Sequence, residues 1–340
     1  MPTRDDDDPV NASQTRIGIG DSKPKKNAPL LGKIVLDRYR VESVLGAGAM
    51  GSVYRGRHMK LERDVAIKVL HESLAHDRKM LARFQREAQA AGRMQHPNVI
   101  SILDVGESDG HPVMVLEFAK GPRLSDIING KPLAADRIIK LVRQLLAGLA
   151  HAHAAGLIHR DLKPANIMVE MDGGVEIPRI VDFGIAILRD GDGEQAGGKL
   201  TDTGQILGTP LYMAPEQAKG DPIDHRIDLF ALGIIVYEML AGVPPFTGSA
   251  IEIALANISK DAPAVSKRVP GVTADPLLER YARKLMARNL ANRFPDATEA
   301  MRVLDLITTD PALAGLELGL TDANRAASVV SIGSLPIPKK

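Results

Sequence analysis

The feature that most constrains this chain is a change of hydrophobic period at Gly121-Pro122. Ahead of it, short alternating apolar runs at 39–41, 44–45, 52–54, 65–70, 100–105 and 113–118 predict strands, with one helical segment over 79–94. Beyond it the period becomes helical. Ile139, Val142, Leu145, Leu146 and Leu149 recur at three- and four-residue steps within 138–153, so they line one helix face. Further helices are predicted at 228–240, 250–258, 277–287 and 298–306. A sheet with one helix, followed by a mainly helical region, predicts an α+β chain of two lobes. No internal repeat is visible.

With 340 residues, 44% of them hydrophobic, the chain can bury a sizeable core as one large bilobal unit or two domains. Lys plus Arg (43) nearly balances Asp plus Glu (42), so no overall field favours nucleic acid or an anionic membrane. The absence of cysteine excludes disulfides, thiolate metal sites and thiol redox control, and it suits a reducing, cytoplasmic setting. Residues 1–36 are polar, with the acidic run Asp5-Asp6-Asp7-Asp8, and are expected to form a flexible arm without the apolar core of a signal peptide. The longest apolar stretch, 229–243, is interrupted by Glu238 and is shorter than the roughly 20 residues a bilayer requires, so a buried helix is expected there and no membrane span. The Gly/Asp-rich stretch 190–198 reads as a mobile loop, and periodicity fades from Thr308 onward.

Five local patterns carry chemistry. Leu45-Gly46-Ala47-Gly48-Ala49-Met50-Gly51-Ser52-Val53 lies between two strands, where glycines let backbone amides approach phosphate oxygens; a plain glycine hairpin has the same look. Strand follows the loop rather than helix, which argues against a dinucleotide fold, and the Gly-Lys-Ser/Thr of a Walker loop is missing. In Val65-Ala66-Ile67-Lys68-Val69-Leu70 the alternation leaves Lys68 on the face opposite Val65, Ile67 and Val69, either solvated or turned into a cleft toward phosphates. A carboxylate would then be needed to orient it. Glu87 is the candidate, because Phe84, Ala88 and Ala91 mark the packed face of its helix; a surface glutamate is the alternative.

His159-Arg160-Asp161-Leu162-Lys163-Pro164-Ala165-Asn166 concentrates a carboxylate, cations and an amide in one loop. Asp161 could accept a proton or hydrogen bond from a hydroxyl, Lys163 could steady a phosphoryl group and Asn166 could ligate a hard metal, although Asp and Asn also form ordinary turns. Val181-Asp182-Phe183-Gly184 sets an acid at the end of a short apolar strand, 179–181, and Met213-Ala214-Pro215-Glu216 reads alone as a surface loop. His151, His153 and His159 lack the spacing of a zinc site and are expected to serve structure.

Taken in order, these segments resemble the protein kinase family, specifically the bacterial eukaryotic-like (Hanks-type) serine/threonine kinases, over about 39–306. The loop tip Ala49-Met50-Gly51 and the phrase Met213-Ala214-Pro215-Glu216-Gln217-Ala218 suggest that branch. The resemblance implies a bilobal kinase domain over 37–307, divided near 118–121, between the arm 1–36 and a tail 308–340. It implies ATP as phosphoryl donor, with Mg2+ or Mn2+, and serine or threonine hydroxyls of proteins as acceptors. In that reading Asp161 orients the hydroxyl and Lys163 stabilises the phosphoryl group. Asn166 and Asp182 bind the metal, and Lys68 pairs with Glu87. Residues 45–53 cover the nucleotide, and the hinge from Leu116 through Glu117 to Ala119 reads the adenine, with Leu116 as gatekeeper. Glu216, Arg293 and Asp228 resemble scaffold residues. The resemblance further implies activation by autophosphorylation at Thr201 or Thr203 opposite Arg160, and it allows a dimer for phosphorylation in trans. A catalytically silent relative acting as a scaffold would lack at least one polar catalytic group; every such group is present in the sequence.

Overall fold

The computed structural model describes residues 30–48, 51–71, 94–183 and 210–320, together with Ala82, Phe84, Ala88 and Gly92. Strands β1 (Ile34–Val35), β2 (Tyr39–Gly48), β3 (Gly51–His58), β4 (Arg63–Leu70), β5 (Ile102–Ser108) and β6 (His111–Glu117) form one antiparallel sheet in the order β1-β2-β3-β4-β6-β5. The alternation of β4 explains how this sheet is packed. Val65, Ile67 and Val69 point to one face, buried with Tyr54, Val113 and Val115, whereas Leu70 points to the other with Met114, Leu116, Phe84 and Ala88. Phe84 and Ala88 are helical, in agreement with the helix predicted over 79–94.

The sheet curls until its two edges nearly meet. Arg38 Nη2 lies 3.0 Å from Asp104 Oδ2, and the Leu36 backbone N–H donates to Ser108 Oγ at 3.0 Å. Leu30 and Val35 are fully buried, so packing begins several residues ahead of Tyr39 and takes in the last part of the stretch read as a flexible arm.

The second lobe holds α1 (Leu124–Ile128), α2 (Ala135–Ala154), the hairpin β7 (Ile167–Asp172) and β8 (Val175–Ile180), α3 (Pro215–Lys219), α4 (Arg226–Ala241), α5 (Ala250–Ser259), α6 (Val265–Arg268), α7 (Pro276–Leu285), α8 (Ala297–Thr309) and α9 (Pro311–Glu317). Helix α4 is apolar on every side and almost wholly buried, as expected of a central helix ringed by others. Among the described residues no helix is long and apolar enough to cross a membrane.

Two elements depart from the sequence reading. The short strand predicted at 179–181 is the end of the hairpin β7–β8, whose turn uses Gly173 and Gly174 at φ +55° and +85°, the left-handed conformations a tight hairpin requires. The stretch where periodicity fades contains α9, because Asp310 Oδ1 accepts the Leu313 N–H at 3.0 Å and Pro311 occupies the first turn, an end signal that does not depend on periodicity.

Candidate active site

The cleft between the lobes is roofed by β3 and β4. Lys68 stands opposite Val53 on β3 and Met114 on β6, on the face turned away from the buried Val65, Ile67 and Val69. Its side chain is 11% exposed, too buried to be a solvated strand lysine, and its Nζ donates to Asp182 Oδ1 at 3.0 Å. The glycines of the loop differ in purpose. A Cβ on Gly51 would lie 2.0 Å from the Val69 carbonyl oxygen, so this position is glycine because β3 presses on β4. Around Gly46 and Gly48, which pair with Val53 and Gly51, a Cβ would meet nothing among the described residues, so no packing contact there requires glycine. Leu45, Gly46, Ala47 and Gly48 end β2, and Gly51, Ser52 and Val53 begin β3. Ala49, Met50 and Glu87 lie outside the described residues.

Asp228, in the first turn of α4, organises the loop that follows α2. Its carboxylate accepts the backbone N–H of His159 at 2.8 Å on Oδ2 and of Arg160 at 2.9 Å on Oδ1, and His153 Nε2 lies 2.8 Å from Oδ2. Burial alone pushes the Asp228 carboxyl up, but the His153 hydrogen bond and the surrounding donors outweigh it and hold the group below the ordinary aspartate range. The anchored loop carries Arg160 at φ +65°, a left-handed strain of about 1–3 kcal/mol for a residue with a Cβ. Gln217 Nε2 adds a hold on the Arg160 carbonyl oxygen at 3.3 Å.

Just beyond, Lys163 Nζ donates to Asp161 Oδ2 at 2.7 Å and Asn166 Nδ2 donates to the Asp161 carbonyl oxygen at 2.9 Å. The loop is tied to the other motif through His159. Its Nε2–H donates to the Val181 carbonyl oxygen at 2.9 Å, its Nδ1 accepts the Asp161 N–H at 3.3 Å, and its ring meets Phe183 edge-on. The Val181 N–H donates to the Asn166 carbonyl oxygen at 3.0 Å. Asp182 follows at φ +65°, turned toward Lys68. Burial pushes its carboxyl up, yet Lys68, supported by His159 and Lys163, brings it below the ordinary range, so the group is ionised at neutral pH.

Comparison with known proteins agrees with this geometry. The protein kinase domain profile matches residues 39–301. The chain belongs to the protein kinase domain family. Similar proteins include the serine/threonine-protein kinase pkn3 of Myxococcus xanthus, 38% identical over 91% of this chain and 56% of that protein. Another is PknB of Mycobacterium tuberculosis, 38% identical over 89% of this chain and 48% of that protein. The chain spans about half the length of these curated relatives. Among solved structures, the kinase domain of Mycobacterium tuberculosis PknI has a TM-score of 0.61 at 27% identity, covering 81% of this chain and 98% of that one.

Within this kinase domain, Asn166 and Asp182 offer oxygen donors of the kind a hard divalent cation takes, and Asp182 is already ionised. Two protein ligands suit magnesium, which retains water and substrate phosphates. Among the described residues no group of three or more His, Cys, Asp or Glu side chains could hold a metal. Each tempting histidine has a structural contact instead: His151 stacks on His96 at 5.2 Å, His153 meets Asp228, and His159 braces Val181. Glu216 and Arg293 form a buried two-pronged ion pair, at 2.7 and 3.2 Å. Leu116, paired with Ala66 across the sheet, belongs to the buried cluster against which Ala119 also packs. Thr201 and Thr203 lie outside the described residues. Sequence reasoning gave no role to Gln217, whose contribution depends on a contact 57 residues away.

Proposed function

We propose that this chain is an ATP-dependent protein kinase that transfers the γ-phosphoryl group to serine and threonine hydroxyls of proteins. The observation that carries the reading is the convergence of three segments: Lys68 on β4 bonds Asp182 after β8, and the loop that carries Asp161, Lys163 and Asn166 is tied to the neighbouring Val181 by His159 and by the Asn166 carbonyl. Asp161 accepts the hydrogen bond of the incoming hydroxyl and aims its oxygen, while Lys163, already 2.7 Å from that carboxylate, offsets charge on the transferring group. Lys68 binds phosphate oxygens from above, the turn that follows Gly46 and Gly48 covers them, and the hinge at Glu117 and Ala119 holds the base. Asn166 and Asp182 would hold magnesium, which would supply charge neutralisation to the phosphates. A loose transition state leaves positioning and electrostatics as the main work of these residues.

Serine/threonine preference rests on Lys163 and on the names of the relatives. Autophosphorylation at Thr201 or Thr203, received by Arg160, belongs to the same reading, and replacing both threonines by alanine should lower activity. The reading is tested by following γ-labelled phosphate from ATP into a basic protein with magnesium. Transfer that stops with EDTA and falls sharply in Asp182→Asn supports it; transfer unaffected by either contradicts it.

A further inference from the structure

Behind the hinge, away from the cleft, lies a set of charges that the phosphoryl-transfer chemistry does not use. Arg179 on β8 reaches two carboxylates: its Nη2 donates to Glu117 Oε2, and its Nη1 lies 3.5 Å from Glu170 Oε2. These carboxylates hold the two ends of the connector between the lobes. Glu117 is its first residue, and the other oxygen of its carboxylate accepts from Arg63 Nη2 at 2.9 Å. Lys120 is near its end, and its backbone N–H donates to Glu170 Oε1 at 2.6 Å. Arg179 Nη2 also approaches the Val99 carbonyl oxygen at 3.4 Å, and the Glu117 N–H donates to the Ser101 carbonyl oxygen at 3.0 Å.

The central pair is shielded and the outer one is not. Arg179, Glu117 and Glu170 side chains are 17%, 19% and 21% exposed, whereas Arg63 is 53% exposed. Shielding keeps charge-assisted hydrogen bonds strong, and the planar fork of a guanidinium presents donors to two carboxylates in fixed directions, which a compact ammonium does not. Burial pushes the Glu117 carboxyl up, yet the Arg179 and Arg63 contacts outweigh it and leave the group below the ordinary glutamate range. The same strand ends in Ile180, whose N–H and carbonyl are bonded to Asn98 and Ile100, and it leads through Val181 to Asp182.

We infer that Arg179 is a positioning residue for the nucleotide: by clamping Glu117 and Glu170 it fixes residues 117–120, whose backbone reads the base. This rests on the kinase reading and deepens it. Arg179 touches no reacting group, so its loss acts on nucleotide affinity rather than on the chemical step.

The test compares wild type, Arg179→Met, Arg179→Lys, Glu170→Gln and the Arg179→Met/Glu170→Gln double variant of the full chain, each checked for folding by thermal melting. KM for ATP and kcat are measured, together with Kd for Mg-ADP by calorimetry. Arg179→Met should raise both KM and Kd roughly tenfold, the factor equivalent to about 1.4 kcal/mol, with kcat within about twofold of wild type. Arg179→Lys should recover part of the affinity. The double variant should bind no worse than Arg179→Met, because both changes break one link. A folded Arg179→Met with wild-type KM and Kd overturns the inference alone, whether kcat rises or falls. Wild-type protein that binds no Mg-ADP overturns the inference together with the reading beneath it.

Discussion

Asp228 and Arg160 are 68 residues apart, yet Asp228 Oδ1 accepts the Arg160 backbone N–H at 2.9 Å and so holds a left-handed residue beside Asp161. Asparagine at 228 keeps one acceptor oxygen and leaves a buried N–H unpaired. Asp228→Asn should therefore lower the unfolding free energy by about 1–3 kcal/mol, and Asp228→Ala by more. Urea unfolding gives both values.

The same carboxylate makes stability depend on pH in a defined direction. Its folded-state pKa lies below the ordinary value of 3.8, so its contribution is complete above that value and is lost as pH falls through the lower folded one. The stability gap between wild type and Asp228→Asn should be flat from neutral pH down to about 4 and should shrink below it. Urea unfolding across an acid series checks this.

Arg293 and Glu216 tie α3 to the chain ahead of α8, with the Arg293 side chain fully buried beside Phe230. Removing one partner strands a buried charge, so Arg293→Met should lose about 3–5 kcal/mol of stability. Adding Glu216→Leu should restore most of the loss. Denaturant midpoints of the single and double variants decide the matter.

The loop glycines should separate into a folding class and a binding class. Gly51→Ala drives a Cβ against the Val69 carbonyl and should lower the melting temperature. Gly48→Ala meets no such obstacle and should fold normally while weakening Mg-ADP binding. Melting curves and calorimetry distinguish the two.

Asp310 starts α9, a helix whose Ala314 is fully buried and whose Glu317 carbonyl accepts from Lys284 at 2.8 Å. Asp310→Ala should cost about 1 kcal/mol through loss of the cap, measured as a shift in denaturant midpoint.

Periodicity disclosed most of the architecture because burial repeats along the chain. The strand residues Val65, Ile67 and Val69 and the apolar face of α2 could be read directly, and so could the buried run that became α4. It was silent about β1 and α9, which are short and owe their positions to Leu30, Val35 and the Asp310 cap. The site was legible as an ordered set of motifs. What the order of motifs could not give was the bonding between them: His159 to Val181, Asn166 to Asp161, Gln217 to Arg160 and Lys68 to Asp182. Each joins residues whose proximity is decided by tertiary folding. The Arg179 clamp escaped notice for the same reason, since a lone arginine on a strand is ordinary until its two carboxylates are brought to it.

In the proposed function, Asp161 orients an acceptor hydroxyl in a site built around bound ATP. Its most direct test is the rate of γ-phosphoryl transfer to protein by wild type and Asp161→Asn, with Mg-ADP affinity measured on the same samples and the modified residues identified. Wild type should yield phosphoserine or phosphothreonine, and Asp161→Asn should transfer about a hundred- to ten-thousand-fold more slowly with unchanged Mg-ADP affinity. Equal transfer by the two proteins, or none by a wild type that binds Mg-ADP, would contradict it.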